Sequence, residues 1–204
     1  MDSPNYLRLI FDDGKRLKAP AFKVVELGLA PGDEVPPEIF LALEQAQSLA
    51  LCKERAVRII TASGVSKKEL RKRLIQKGET EEDADAAVSW LEELHLIDDL
   101  ETAKQLVRSA AARGYGRARA KNILYEKGIE KELWDEALAE LPEMDDAIDL
   151  FLRRRLQGRP LDDKLIRKTV DALIRRGHSY SDIQAGLRRF EAGLELEETW
   201  EDTQ

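Results

Sequence analysis

The chain of 204 residues is poor in the groups on which most enzyme chemistry depends. It has one cysteine and two histidines, and aromatic residues make up 6%. One cysteine cannot close an internal disulfide, which fits a reducing compartment. Cys52 stands in LALCKERAVRII, where a small apolar residue suits a helix core, so it reads as a buried thiol. A nucleophile there would need a base, and only His95 and His178 are available. No run approaches the ~18 apolar residues of a membrane span. MDSPNYLRLIF lacks the basic region and long apolar stretch of a signal peptide. No G-x-x-x-x-G-K-[ST] loop is present to cradle a nucleotide. The expectation is a soluble, cytoplasmic monomer without cofactor or metal, and not an enzyme.

What the chain does have is charge. Asp, Glu, Lys and Arg make up 36%, and the abundance of Ala, Leu, Glu, Lys and Arg favours helix over sheet. The net charge of −7 counts against a generic nucleic-acid binder, but the charge is uneven. Residues 1–48 hold 5 basic and 8 acidic groups, and residues 49–145 hold 17 and 20. Residues 146–191 hold 11 and 7, and residues 192–204 hold none and 5. The third block alone is net basic, and an acidic segment follows it.

Residues 1–36 differ from the rest. YLRLIF is followed by DDGK, whose Asp-Gly is a hairpin signal, and then by RLKA. This pattern predicts a two-stranded ribbon. Pro20 opens a short helix through Leu27, Gly28 closes it, and LAPGDEVPP connects onward.

Beyond Pro37 the pattern is helical and repeats. KRLIQKG, NILYEKG and DALIRRG end at Gly78, Gly128 and Gly177, spaced 50 and 49 residues apart. Four residues before each glycine stands Leu74, Leu124 or Leu173, and one before stands Lys77, Lys127 or Arg176. Ten after stand Val88, Leu138 and Leu187, and thirteen after stand Leu91, Leu141 and Phe190. Such a period marks a helical repeat array. In the first unit Ser66 and Glu69 form a capping box, Gly78 closes a helix and Thr80 caps the next. The expected organisation is a ribbon and connector at 1–36, repeats at 37–97, 98–143 and 144–192, and an acidic tail at 193–204. The expected fold is all-α, with three tandem three-helix repeats in an elongated, curved array and a small N-terminal β-ribbon.

The stretch LIDDLETAK raises a choice between catalysis and punctuation. Asp98-Asp99 falls where the first repeat meets the second. Asp98 with Glu101 fits a capping box, Asp99 suits the helix dipole, and Leu96 and Ile97 supply a hydrophobic staple. A catalytic dyad needs a pocket and one raised pKa, which an exposed helix start does not imply. A His95/Asp98/Asp99 metal site has too few well-placed ligands.

These residues also carry a resemblance. SKKELRKRLIQKG, LEELHLIDDLETA and RGYGRARAKNILYEKGI resemble the RecX family of regulatory proteins. Its pattern is met in order by Ser66, Glu69, Leu70, Leu74, Lys77, Gly78, Leu91, Leu96, Ile97, Asp98, Asp99, Ala103, Arg113, Gly114, Gly116, Lys127, Gly128 and Ile129. Glu79 departs from the aromatic residue usual after the first Lys-Gly. The resemblance covers roughly residues 40 to 192. It implies a modulator of the RecA recombinase, mostly inhibitory, in the context of homologous recombination, DNA repair and the SOS response. It implies a protein that lies in the groove of the RecA–single-strand DNA filament. There it would block filament growth and damp ATP hydrolysis, strand exchange and co-protease activity.

Three basic clusters are the candidate contacts for that filament or for single-stranded or duplex DNA. They are Lys67, Lys68, Arg71, Lys72 and Arg73; then Arg113, Arg117, Arg119 and Lys121; then Arg153, Arg154, Arg155 and Arg159 with Arg167, Lys168, Arg175 and Arg176. For any one of these residues a solvated helix face is the ordinary role. Tyr115 and Tyr180 sit beside basic residues and could stack on a base, whereas Trp90 and Trp134 suit a core and Trp200 a mobile tail. The competing expectations are a helical module that binds DNA without RecA and a protein–protein adaptor.

Overall fold

A computed structural model describes residues 5–201, with side chains through residue 193; Trp200 and most of the acidic segment lie outside the described side chains. The fold is all-α apart from one antiparallel ribbon of β1 (Tyr6–Ile10) and β2 (Arg16–Pro20). Leu9 stands opposite Leu17 and Leu7 opposite Ala19. The turn uses the Asp-Gly pair. Gly14 takes φ +82°, its N–H donates to the Phe11 carbonyl at 2.9 Å, and Asp13 accepts from the Lys15 N–H. Pro20 precedes α1 (Ala21–Glu26), and Gly28 closes it in the left-handed region. One face of the ribbon buries Leu17 and Ala19 with Val24 and Leu43, while Phe11 meets Phe40 edge to face at 5.1 Å.

Contacts divide the chain into two compact units, 1–98 and 99–204. The first is tied together by α2 (Pro37–Ala62), which is ~39 Å long at 1.5 Å per residue and has Pro37 in its first turn. Its N-terminal half places Leu43 in the ribbon core. Its C-terminal half places Cys52 and Ala56 in a second core with α3 (Lys67–Gln76) and α4 (Glu81–Glu93). Leu70, Leu74, Ala84, Ala87 and Leu91 are fully buried there. Ser66 accepts from the Glu69 N–H at 3.1 Å, and Thr80 accepts from the Asp83 N–H at 3.1 Å, so both helices begin at side-chain caps.

The second unit holds two cores. The first joins α5 (Asp99–Ala112), α6 (Arg117–Glu126), a 3-10 turn (Lys131–Leu133) and α7 (Trp134–Leu138) around Val107, Leu124 and Leu138. The second joins α8 (Asp145–Leu156), α9 (Asp163–Arg175) and α10 (Tyr180–Glu201) around Ile148, Leu152, Leu173 and Ile183. Asp162 caps α9 and Ser179 caps α10. The backbone of α10 runs on past Ala192, where the repeated pattern ends. Among the described residues no helix is long and apolar enough to cross a membrane.

The three repeated glycines do the same work. Gly78, Gly128 and Gly177 have φ of +93°, +71° and +88°. After each, the next N–H reaches back to Leu74, Leu124 or Leu173, at 3.2, 3.0 and 3.2 Å. This is the Schellman closure, and the leucine whose carbonyl accepts is fully buried each time. The same closure ends α4, but there His95 takes the left-handed position at φ 53°. A side chain in that region costs about 1 kcal/mol relative to glycine. His95→Gly is therefore expected to raise stability by about 1 kcal/mol, and Gly78→Ala, whose new methyl would meet nothing within 4 Å, to lower it by a similar ~1 kcal/mol. Urea unfolding of the two variants checks both signs.

Candidate partner-binding surface

The LIDD junction is structural. Ile97 is buried, Asp98 precedes α5 and is exposed, and Asp99 opens the helix. The expectation of an exposed pair is corrected at Asp99, which is 5% exposed. It begins the stripe Asp99, Ala103, Val107 and Ala110, spaced to fall on one buried face of α5. Helical phase places it on that face. Among the described residues no three His, Cys, Asp or Glu side chains are grouped to hold a metal. Cys52 is fully buried and its thiol donates to the Asp83 carbonyl at 3.4 Å. Burial pushes the thiol up to about 11, so it stays protonated and unreactive.

The three basic clusters meet different fates. In the first, Lys67 pairs with Glu92 at 2.8 Å, and Arg71 bridges Asp85 and Glu81. Arg73 pairs with Glu69 and reaches Ser63. Only Lys68 and Lys72 of that set stand exposed without an ion pair among the described residues. Glu79, in the place of the family's aromatic residue, is nearly enclosed and pairs with Arg55 of α2 at 2.6 Å. In the second cluster, Arg119 pairs with Glu126 at 3.0 Å and Arg117 lies 3.8 Å from Asp135. Arg113 is exposed and Lys121 is half-buried, neither with an ion pair among the described residues. Nearby, Lys104 holds Glu136, and Arg108 holds both Glu101 and Glu140.

In the third cluster Arg153, Arg154, Arg155, Arg159, Arg167, Lys168 and Arg175 are exposed and make no ion pair among the described residues. Lys164 and Arg188, outside the three clusters of the sequence pattern, join them. Spacing would have found Lys164, which shares one face of α9 with Arg167, Lys168 and Arg175. The carboxylates Asp145 and Asp149 are taken by Arg189 at 3.2 and 2.8 Å.

Arg176 alone of this cluster is used inside the fold. Its guanidinium lies over Phe151 and Tyr115, 5.0 and 5.6 Å from the ring centres, and donates to the Arg113 carbonyl at 3.0 Å. It belongs to a seam joining the two cores of the second unit. The N–H of Gly116 donates to the Arg176 carbonyl at 2.9 Å, and that of Ala118 to the Gly177 carbonyl at 3.1 Å. A methyl on Gly177 would come 2.2 Å from the Arg119 nitrogen, and one on Gly116 2.4 Å from the Gly177 oxygen. The second glycine of RGYG thus answers to close approach of two backbones. Tyr115 packs in this seam and is not free to stack, while Tyr180 is 63% exposed. Trp134 donates to the Ile129 carbonyl, and Trp90 lies half-buried under Lys53.

His178 completes the seam. It is buried, with Nε2 3.1 Å from the Gly114 carbonyl. Burial holds its pKa below the usual value; the Gly114 carbonyl opposes this, Arg176 reinforces it and Asp182 opposes it. The unfolded chain therefore binds a proton that the folded chain resists, and the histidine's contribution to stability is lost as pH falls below ~6.5. The expected outcome is a urea midpoint that drops from about pH 7.5 to pH 5.5 more steeply in the native chain than in His178→Gln.

The fold thus defines a protein of tandem three-helix repeats in which exposed cations without an ion pair among the described residues are most numerous on the last repeat. Comparison with known proteins agrees. The description "RecX, first three-helix domain" matches residues 52–91, and "RecX, second three-helix domain" matches residues 98–138. The chain is 32% identical over 155 residues to the Regulatory protein RecX of Cronobacter sakazakii, covering 68% of this chain and 91% of that protein. It is 30% identical over 145 residues to that of Vibrio parahaemolyticus, covering 70% and 93%. A crystal structure of regulatory protein RecX superposes with a TM-score of 0.74 at 20% identity, covering 90% of this chain and 93% of the other. The structure of RecX from Lactobacillus salivarius gives 0.61 at 20% identity, covering 72% and 99%. The chain belongs to the RecX family of regulatory proteins.

Proposed function

We propose that this chain regulates the RecA recombinase. It binds in the groove of the RecA–single-strand DNA filament and inhibits filament growth, ATP hydrolysis, strand exchange and co-protease activity, as a monomer in the cytoplasm. The observation that carries the reading is the identity to regulatory RecX proteins over nearly their whole length. In this reading the repeats at 37–97, 98–143 and 144–192 each present a surface to the filament, and modest contacts add through avidity. The unpaired cations Arg153, Arg154, Arg155, Arg159, Arg167, Lys168 and Arg175 form the main contact. Lys68, Lys72, Arg113, Arg117 and Lys121 add to it. Lys67, Arg71, Arg73, Arg119 and Arg176 serve the fold, because their charges are engaged within it.

The test is single-strand-DNA-dependent ATP hydrolysis by the cognate RecA, with the folded chain titrated in at fixed salt. Suppression at substoichiometric amounts is expected if filament growth is capped. Suppression only near one chain per several protomers points to binding along the groove. No change at any ratio overturns the reading in favour of an adaptor for another protein.

A further inference from the structure

We infer that a groove along α2 in the first unit, lined by α1 and α4, receives an acidic amphipathic helix of another protein. This goes beyond the proposed function and does not rest on it.

The first ground is shape. Two hollows of about 650 and 530 Å³ adjoin along α2 and share Phe22, Ala50 and Lys53. Their floor is Ala42, Ala46, Leu49, Ala50, Lys53 and Val57 of α2, all half-buried. At 3.6 residues per turn these positions fall within about 100° of the helix circumference. That stripe lies between the face that buries Leu43 in the ribbon core and the face that buries Cys52 and Ala56 in the next core. Neither core covers it. The floor runs ~22 Å at 1.5 Å per residue, the length of a helix of about 15 residues. Phe22 and Lys23 of α1 and Ala86 and Trp90 of α4 supply the walls.

The second ground is apolar surface that the fold itself does not use. Phe22 lines both hollows and is 67% exposed, and Val25 stands one turn away at 75%. Val24 and Leu27 already hold this short segment to the ribbon core. Tyr6, Pro20 and Trp90 continue the apolar lining past Phe22. Exposed aromatic side chains beside a groove are the usual anchors of a helix laid into it.

The third ground is charge, which selects the occupant. Lys53 and Arg58 line the end near Trp90, with the Lys53 ammonium 5.0 Å from the Trp90 ring centre. Lys18 stands 4.7 Å from the ring centre of Tyr6. Lys18 and Lys53 make no ion pair among the described residues. The carboxylate at this end, Glu54, is held by the Tyr6 hydroxyl and lies 3.6 Å from Arg58. At the other end Glu82 and Asp83 stand in the first turn of α4, where the helix dipole offsets their charge, and Asp83 accepts from Ser48. The field left over is positive, and it suits carboxylates flanking an apolar stripe. A second copy meeting this end about a twofold axis would set the same cations against one another.

The test uses the full chain. Anisotropy is followed for a labelled peptide of roughly 15 residues, with leucine at i, i+4, i+7 and i+11 and glutamate on its other faces. The expected result is binding that weakens with salt and is about tenfold tighter than for the same peptide with lysine in place of glutamate. Phe22→Ala and Lys53→Glu should each weaken it about tenfold. Tyr125→Ala, at an equally exposed aromatic residue of the second unit, should leave it unchanged. Circular dichroism checks that each variant is folded. No binding of the glutamate peptide at about 1 mM, equal binding of the two peptides, or binding unaltered in both groove variants would each overturn the inference. So would displacement of the peptide by an oligothymidylate. Sedimentation showing a dimer that Phe22→Ala dissociates would assign the groove to a second copy instead.

Discussion

The rest of the fold depends on a left-handed turn after the second helix of each repeat. Gly78, Gly128 and Gly177 take a backbone conformation that costs a side-chain-bearing residue about 1 kcal/mol. In exchange the chain reverses within two residues, and the next amide satisfies a carbonyl at the helix end that would otherwise be orphaned. That carbonyl belongs to a leucine at the centre of its core. One local event therefore ends a helix, saturates its terminus and aims the following segment back across the same apolar cluster. Each core is small, so none could tolerate a helix that overran its end.

The third of these turns has a second task. The Gly177 backbone lies against Arg119, and the carbonyls of Arg176 and Gly177 accept from the first amides of α6. The N-terminus of α6 has no side-chain cap of its own. Its orphan donors are met by the closing turn of another helix, so that the two cores of the second unit are joined through backbone as well as packing. Arg176 and His178 reinforce the joint through the Arg113 and Gly114 carbonyls. A basic residue before the glycine thus serves architecture here, although composition alone makes it look like a ligand for an acidic partner.

Charge is distributed with the same economy. Exposed ion pairs contribute little stability one by one. Their larger effect is to cancel part of the positive charge of the first two repeats, while the third carries the densest set of exposed cations without an ion pair among the described residues. A chain of net charge −7 can in this way present a basic face without being a basic protein.

Local features were legible in the sequence because local sequence causes them. The Asp-Gly hairpin, the caps at Ser66 and Thr80, the three closing glycines and the buried leucines before them depend on residues within one turn of each other. The RecX signature was legible for the same reason. What was not legible involves partners far apart along the chain: Arg71 with Asp85, Glu79 with Arg55, Lys104 with Glu136, and Arg176 and His178 with the 113–114 carbonyls. The burial of Asp99 follows from the phase of its helix, which the charge of the side chain does not reveal. Sequence by itself determined where helices start, stop and repeat, since those are choices of backbone dihedral and capping group. Only the tertiary structure decided which cations are spent on the fold and which remain free. That depends on distances between side chains on different helices, which no spacing along the chain encodes.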